Sequence, residues 1–195
     1  MRKRCRDRDC PLLERTAVEV GYRGNRNAKI IMCGEYPNSD DLKFSRIFSS
    51  RNAAVKRFLS HAQTSGIKLS ECLFVSALRC GVNKKKTPGK EITKSLACCR
   101  QKLTRVIKSV KPKVIVAFGD FGLRQVARKS GITKSRGIFV WSNDLDCWVL
   151  PMLSPFYVEL NPSLENRVIE DFKYLKKFID NGYAPPQDKS KFNWE

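Results

Sequence analysis

The chain has 195 residues and carries 38 Lys and Arg against 19 Asp and Glu, a formal net charge of +19. That length suits one domain, and a 42% hydrophobic composition supplies enough core material to exclude a disordered polyelectrolyte. No apolar run reaches the roughly 18 to 20 residues of a membrane span, and the basic start leads into no apolar signal segment. The expectation is therefore a soluble, intracellular monomer whose charge excess calls for a polyanion, nucleic acid first.

In chain order, residues 1–16 read as a basic, cysteine-bearing arm. Residues 28–33 (Ala-Lys-Ile-Ile-Met-Cys) form a short apolar run predicted to be a strand covered on both faces. Gly34 and Pro37 end it and open a loop over 34–48. Ala54, Val55, Phe58 and Leu59 put one apolar face on a helix over 52–61. A second buried strand is predicted over 72–78, and 81–90 is a basic loop holding Lys84, Lys85, Lys86 and Lys90.

Leu96, Cys99, Leu103, Val106 and Val110 stripe a long helix over 91–110. The clearest strand is 113–118, followed after Gly119 by a helix over 121–129. Shorter strands are expected at 138–141 and 147–152, and a last helix over 163–179 with Ser163 as its N-cap. Strand and helix alternation predicts an α/β fold: a single domain with a central, mostly parallel four-stranded sheet flanked by helices. The domain is expected over 17–182 and a tail over 183–195. In such sheets, function sits in the loops at the strands' carboxyl ends, here 34–48, 79–90 and 153–161, which predicts one cleft.

Eight cysteines, Cys5, Cys10, Cys33, Cys72, Cys80, Cys98, Cys99 and Cys147, require an explanation, and a reduced intracellular setting favours metal binding or burial over disulfides. Cys33, Cys72 and Cys147 lie in apolar strands and read as core. The only histidine, His61, reads as a surface residue, which removes zinc sites built on His pairs. The carboxylates of the first loop, Glu35, Asp40 and Asp41, taken alone, read as solvated groups or a turn cap.

The loops and their order resemble the uracil-DNA glycosylase superfamily, and within it the iron–sulfur uracil-DNA glycosylases. Cys5 and the segment from Cys10 through Leu13 to Arg15 stand where that family has two cysteines, the second followed by leucine and arginine. Gly34-Glu35-Tyr36-Pro37-Asn38 matches its Gly-Glu-Ala-Pro-Gly loop, and Ser76 to Cys80 its Asn-x-x-x-Cys. Lys111 to Gly119 matches its Lys-Pro-Lys-Val-Ile-Val-x-x-Gly, and Arg136-Gly137 a later small motif. Ser154-Pro155-Phe156 with Asn161-Pro162 stands in place of its final His-Pro-Ser loop.

The resemblance implies a monofunctional DNA N-glycosylase, a hydrolase of base excision repair that flips out uracil or a related damaged base and breaks its glycosidic bond. It implies Glu35, Asp41 and Ser154 as catalytic groups, and Tyr36, Phe48 and Ser76 as the base pocket. It also implies a structural [4Fe–4S] cluster on Cys5, Cys10, Cys80 and Cys99, with Cys98 as the neighbouring substitute and zinc as the alternative metal. Lys84, Lys85, Lys86, Lys90, Arg4 and Arg6 are the expected contacts to DNA, single- or double-stranded.

Two positions depart from the pattern: Ser76 replaces the base-reading asparagine and Ser154 the histidine. Loss of one preorganised donor costs about 100- to 1000-fold in rate. The departures keep open a catalytically degenerate relative that binds DNA or assists a replication or repair protein. An RNA-binding domain of unrelated α/β fold is a third reading.

Overall fold

The computed structural model describes residues 9–12 and 19–185. Cys5, Arg4 and Arg6 lie outside the described residues.

Six strands form one sheet: β1 (Arg23–Gly24), β2 (Ile30–Gly34), β3 (Cys72–Ser76), β4 (Val114–Phe118), β5 (Val140–Ser142) and β6 (Cys147–Met152), in the order β1-β3-β2-β4-β6-β5. The inner four, β3, β2, β4 and β6, are parallel, as expected; β1 and β5 add short antiparallel edges. Strands of two and three residues are too short to register as an alternating pattern, so the expected four-stranded sheet is the inner part of a wider one.

Seven α-helices accompany the sheet among the described residues: α1 (Ser39–Phe44), α2 (Ala53–Thr64), α3 (Gly89–Val110), α4 (Gly119–Ala127), α5 (Ile132–Ser135), α6 (Pro155–Leu160) and α7 (Glu165–Asp180). The segments read as plain loops at 34–48 and 153–161 each contain a six-residue helix, α1 and α6. Both are set by their caps, Asn38 and Ser154, rather than by an apolar stripe. Ser163 is not an N-cap: it lies in a 3₁₀ turn, Pro162–Leu164, and α7 starts beyond it.

The inner strands are buried on both faces, which explains their apolar runs. Alternation sends Met32, Phe74, Val116 and Phe118 to one face, against Phe58 of α2 and Phe172 of α7. Ile31, Val75, Ile115 and Val149 face Leu103 and Ile107 of α3 and Leu123 and Val126 of α4. Phe58 meets Phe118 and Phe172 edge-on, at centroid separations of 5.0 and 5.2 Å. Truncating a fully buried ring such as Phe172 to alanine costs about 3–5 kcal/mol. The two layers hold the carboxyl ends of β2, β4 and β6 side by side, which places their loops together.

Candidate active site

The loops after β2 and β6 meet at an open pocket with about 400 Å³ of empty space, lined by Gly34, Glu35, Tyr36, Asp41, Phe48 and Ser154 together with Phe118 and Phe156. Of the three loops expected to share one cleft, 34–48 and 153–161 line this pocket at the strands' carboxyl ends; 79–90 does not line it and reaches it only through Lys84 against Glu35. Its inner wall is aromatic. Phe48 packs on Phe74 and Phe118, at 5.3 and 5.8 Å between ring centres. Gly34 belongs there because a Cβ would sit 3.0 Å from the Phe48 ring.

Phe48 carries a left-handed backbone, with φ of 53°, a conformation that costs a non-glycine residue of order 1 kcal/mol or more. Arg23 of edge strand β1 holds it there. Its Nε donates to the carbonyl of Ile47 at 2.9 Å and its Nη2 to that of Phe48 at 3.0 Å. The same guanidinium lies over Phe74, 4.6 Å from the ring centre. Burial, followed by repulsion from Arg46, lowers its pKa from the ordinary value. Sequence reading missed Arg23 because β1 has only two residues; its partners are brought to it by the fold.

The two carboxylates of the first loop are used differently. Asp41 is the N3 residue of α1 in a capping box: Asn38 N–H donates to its Oδ2 at 3.1 Å, while Asn38 Oδ1 accepts from Asp41 N–H at 3.0 Å. Its other oxygen accepts from Ser49 N–H at 2.7 Å. Asp41 thus ties α1 to the turn that presents Phe48. Burial pushes its carboxyl pKa up, against the backbone donors of Ser49 and Asn38 and the charge of Arg23.

Glu35 is held more loosely, with one long backbone hydrogen bond, from Phe121 N–H, to one of its oxygens. Its Oε1 lies 3.5 Å from Lys84 Nζ and 3.5 Å from Phe121 N, and its carboxyl packs over Gly119. Gly119 has φ of 69°, and a Cβ there would fall 2.5 Å from Glu35 Cδ. Tyr36 beside it packs on Phe121 at 6.1 Å, and Lys84 lies over both rings, at 5.4 and 4.8 Å. Burial and then the neighbouring Glu35 charge raise the Tyr36 pKa.

Ser154 is buried, lines the pocket and caps α6, its Oγ accepting from Tyr157 N–H at 3.4 Å. Ser76 ends β3 opposite Gly34 in register, but lines a neighbouring groove with Arg79 and Lys102 rather than this pocket. Lys84, Lys85 and Lys86 of the basic loop and Lys90, which lies in the first turn of α3, are all exposed, and Lys84 also reaches Glu35. His61 is half-buried and bonds Glu165 at 2.7 Å, on α2 and α7.

Cys10, Cys80 and Cys99 are buried in one apolar cluster with Leu12, Ala77, Leu78, Ile92 and Leu96, and Cys98 packs at its edge. The buried Gln125 laces this cluster together, donating to the carbonyls of Ala77 at 3.1 Å and Leu96 at 2.7 Å. Among the described residues, no three His, Cys, Asp or Glu side chains converge closely enough to hold a metal ion. The remaining sequence-derived ligand, Cys5, is outside the described residues. Cys33, Cys72 and Cys147 are core residues, as expected, and burial pushes each thiol pKa up to about 12.

Sheet and pocket together place the chain among α/β proteins with a pocket at the carboxyl ends of parallel strands. More narrowly, it belongs to the uracil DNA glycosylase superfamily, whose family model matches residues 22–179. The chain is 34% identical over 180 residues to the type-4 uracil-DNA glycosylase of Thermotoga maritima, covering 87% of this chain and 88% of that protein. It is 22% identical over 180 residues to the type-4 uracil-DNA glycosylase of Saccharolobus solfataricus, covering 88% and 81%. The resemblance carried by the loop motifs is thereby borne out. No helix among the described residues is long and apolar enough to cross a membrane.

Proposed function

We propose that the protein removes uracil from DNA by hydrolysing its N-glycosidic bond, the activity named in its type-4 relatives. The observation that carries this reading is the gathering of Glu35, Tyr36, Phe48 and Ser154 around one pocket. A base enters such a pocket only after extrusion from the stack. Phe48 then supplies a stacking surface held rigid by Phe74 and Phe118. Tyr36 adds bulk at the edge, where it opposes a 5-methyl group.

As the bond between sugar C1′ and base N1 breaks, its electron pair leaves with the base and positive charge builds on the sugar. Water adds to C1′, and one of its protons ends on the departing base. Glu35 is the carboxylate suited to the cation and the water, because Asp41 spends both oxygens on backbone donors. In this reading Asp41 acts as a positioning residue. Ser154 keeps its hydroxyl hydrogen free to donate, since as a cap it only accepts.

The buried thiols of Cys10, Cys80 and Cys99 are the right donors for a [4Fe–4S] cluster in a dry, apolar setting, with Cys5 as the fourth. Such a cluster takes no part in the hydrolysis; it would pin the arm carrying Cys5 to β3's loop and α3. Exposed Lys85, Lys86 and Lys90 would meet phosphates beside the pocket.

The test is single-turnover release of uracil from a uracil-containing single-stranded oligonucleotide at low salt. Loss of the abasic product in Phe48→Ala and Glu35→Gln is the expected result. Salt-sensitive binding without product, unrelieved by Ser76→Asn with Ser154→His, would replace this reading with the degenerate DNA-binding relative. The serines at those two positions favour that second reading.

A further inference from the structure

At the opposite pole of the sheet lies a second concave surface, which the base-excision reading does not use. It is lined by Lys108, Lys111 and Lys113 near the end of α3 and the start of β4, by Trp141 and Trp148 of the β5–β6 hairpin, and by Tyr183. These residues stand at the amino ends of β4 and β6, a strand length, about 15–20 Å, from the pocket. Its empty space is about 1440 Å³ against about 400 Å³ in the pocket, too large and open for a single base.

Its chemistry is aromatic and cationic. Trp141 and Trp148 pair across the hairpin and meet edge-on at 5.2 Å. Trp141 is 44% exposed, an unusual outlay of apolar surface for a residue with no core to serve. Lys108, Lys111 and Lys113 make no ion pair among the described residues, and Lys29 stands over the Tyr183 ring at 5.8 Å. Two carboxylates share the groove. Asp144 is held by Arg128 at 2.9 Å, leaving Asp146 as the other.

We infer that this groove binds single-stranded nucleic acid, remote from the excision pocket. An exposed ring such as that of Trp141 accepts an unpaired base by stacking, without sequence preference. The three lysines supply the phosphate counter-charge, on a chain whose net charge is +19. An acidic protein segment would use the lysines but has no use for Trp141, which stands open to solvent on a partly buried Trp148.

The experiment titrates the full chain with a thymine-only oligonucleotide, so that no glycosylase chemistry enters the readout. Tryptophan fluorescence should be quenched on binding, and Trp141→Ala should weaken affinity about ten-fold. Replacing Lys108, Lys111 and Lys113 by glutamine should lower the salt slope of log K by about 2, at roughly 0.7 per phosphate. The uracil-release rate at saturating enzyme on a short oligonucleotide should stay unchanged in these variants. Unchanged affinity and slope in both variants would overturn the inference. So would a Trp141-dependent quench by polyglutamate with none by the oligonucleotide, which would assign the groove to an acidic protein.

Discussion

Lys84 Nζ lies 3.5 Å from Glu35 Oε1 and 4.8 Å from the centre of the Phe121 ring. The basic loop after Cys80 therefore does two jobs: one lysine reaches the carboxylate at the pocket while its neighbours face solvent. Lys84→Met should lower the single-turnover rate about three- to ten-fold, through a Glu35 side chain no longer held over Gly119, because partly exposed pairs are modest in energy. Lys85→Met should leave that rate unchanged and reduce only the salt dependence of DNA binding. Equal effects of the two substitutions on the rate would remove Lys84 from the site.

Gly119 limits where Glu35 can stand. Gly119→Ala adds a Cβ 2.5 Å from Glu35 Cδ at a left-handed backbone. The strain costs about 1–2 kcal/mol of stability, readable as a shifted urea midpoint. Displacement of Glu35 should cost more, at least ten-fold in the rate of abasic-site formation. A stable variant with full activity would show that Glu35 does not act from this position.

Asp41 has a raised carboxyl pKa in the folded chain, so the native state holds that proton more tightly than the unfolded chain does. Its contribution to stability is present below the ordinary value of 3.8 and is lost as pH rises from 3.8 through the raised value. Above that window its contribution is flat. Urea midpoints across this range should therefore fall with pH more steeply in the wild type than in Asp41→Asn. Asp41→Ala should lose about 2–3 kcal/mol at neutral pH, leaving the Ser49 and Asn38 N–H groups without their acceptor.

Cys99 is buried inside the cysteine cluster and Cys98 at its edge. Anaerobically purified protein should be brown, with broad absorbance near about 400 nm. Cys99→Ser should lose the colour and the iron, whereas Cys98→Ser should keep both. Colourless protein with stoichiometric zinc would replace the cluster with a four-thiolate zinc site.

The sequence by itself determined the inner sheet and the place of the pocket. Runs such as Ile30–Gly34 and Val114–Phe118 are apolar on both faces, as a parallel strand covered by two helical layers requires, and their alternation with helical segments points to that arrangement. Gly34, Glu35, Tyr36 and Phe48 were legible because they lie in one continuous loop whose motif survives in the chain. The different contacts of Glu35 and Asp41 were not: both are loop carboxylates in sequence, and only the fold brings Ser49 N–H to Asp41 and Lys84 to Glu35. Arg23 under Phe48, Gln125 within the cysteine cluster and Trp148, whose backbone N–H donates to the Lys113 carbonyl, likewise meet partners distant in sequence. Local patterns record what a residue contributes to its own element; contacts between elements exist only once the layers have packed.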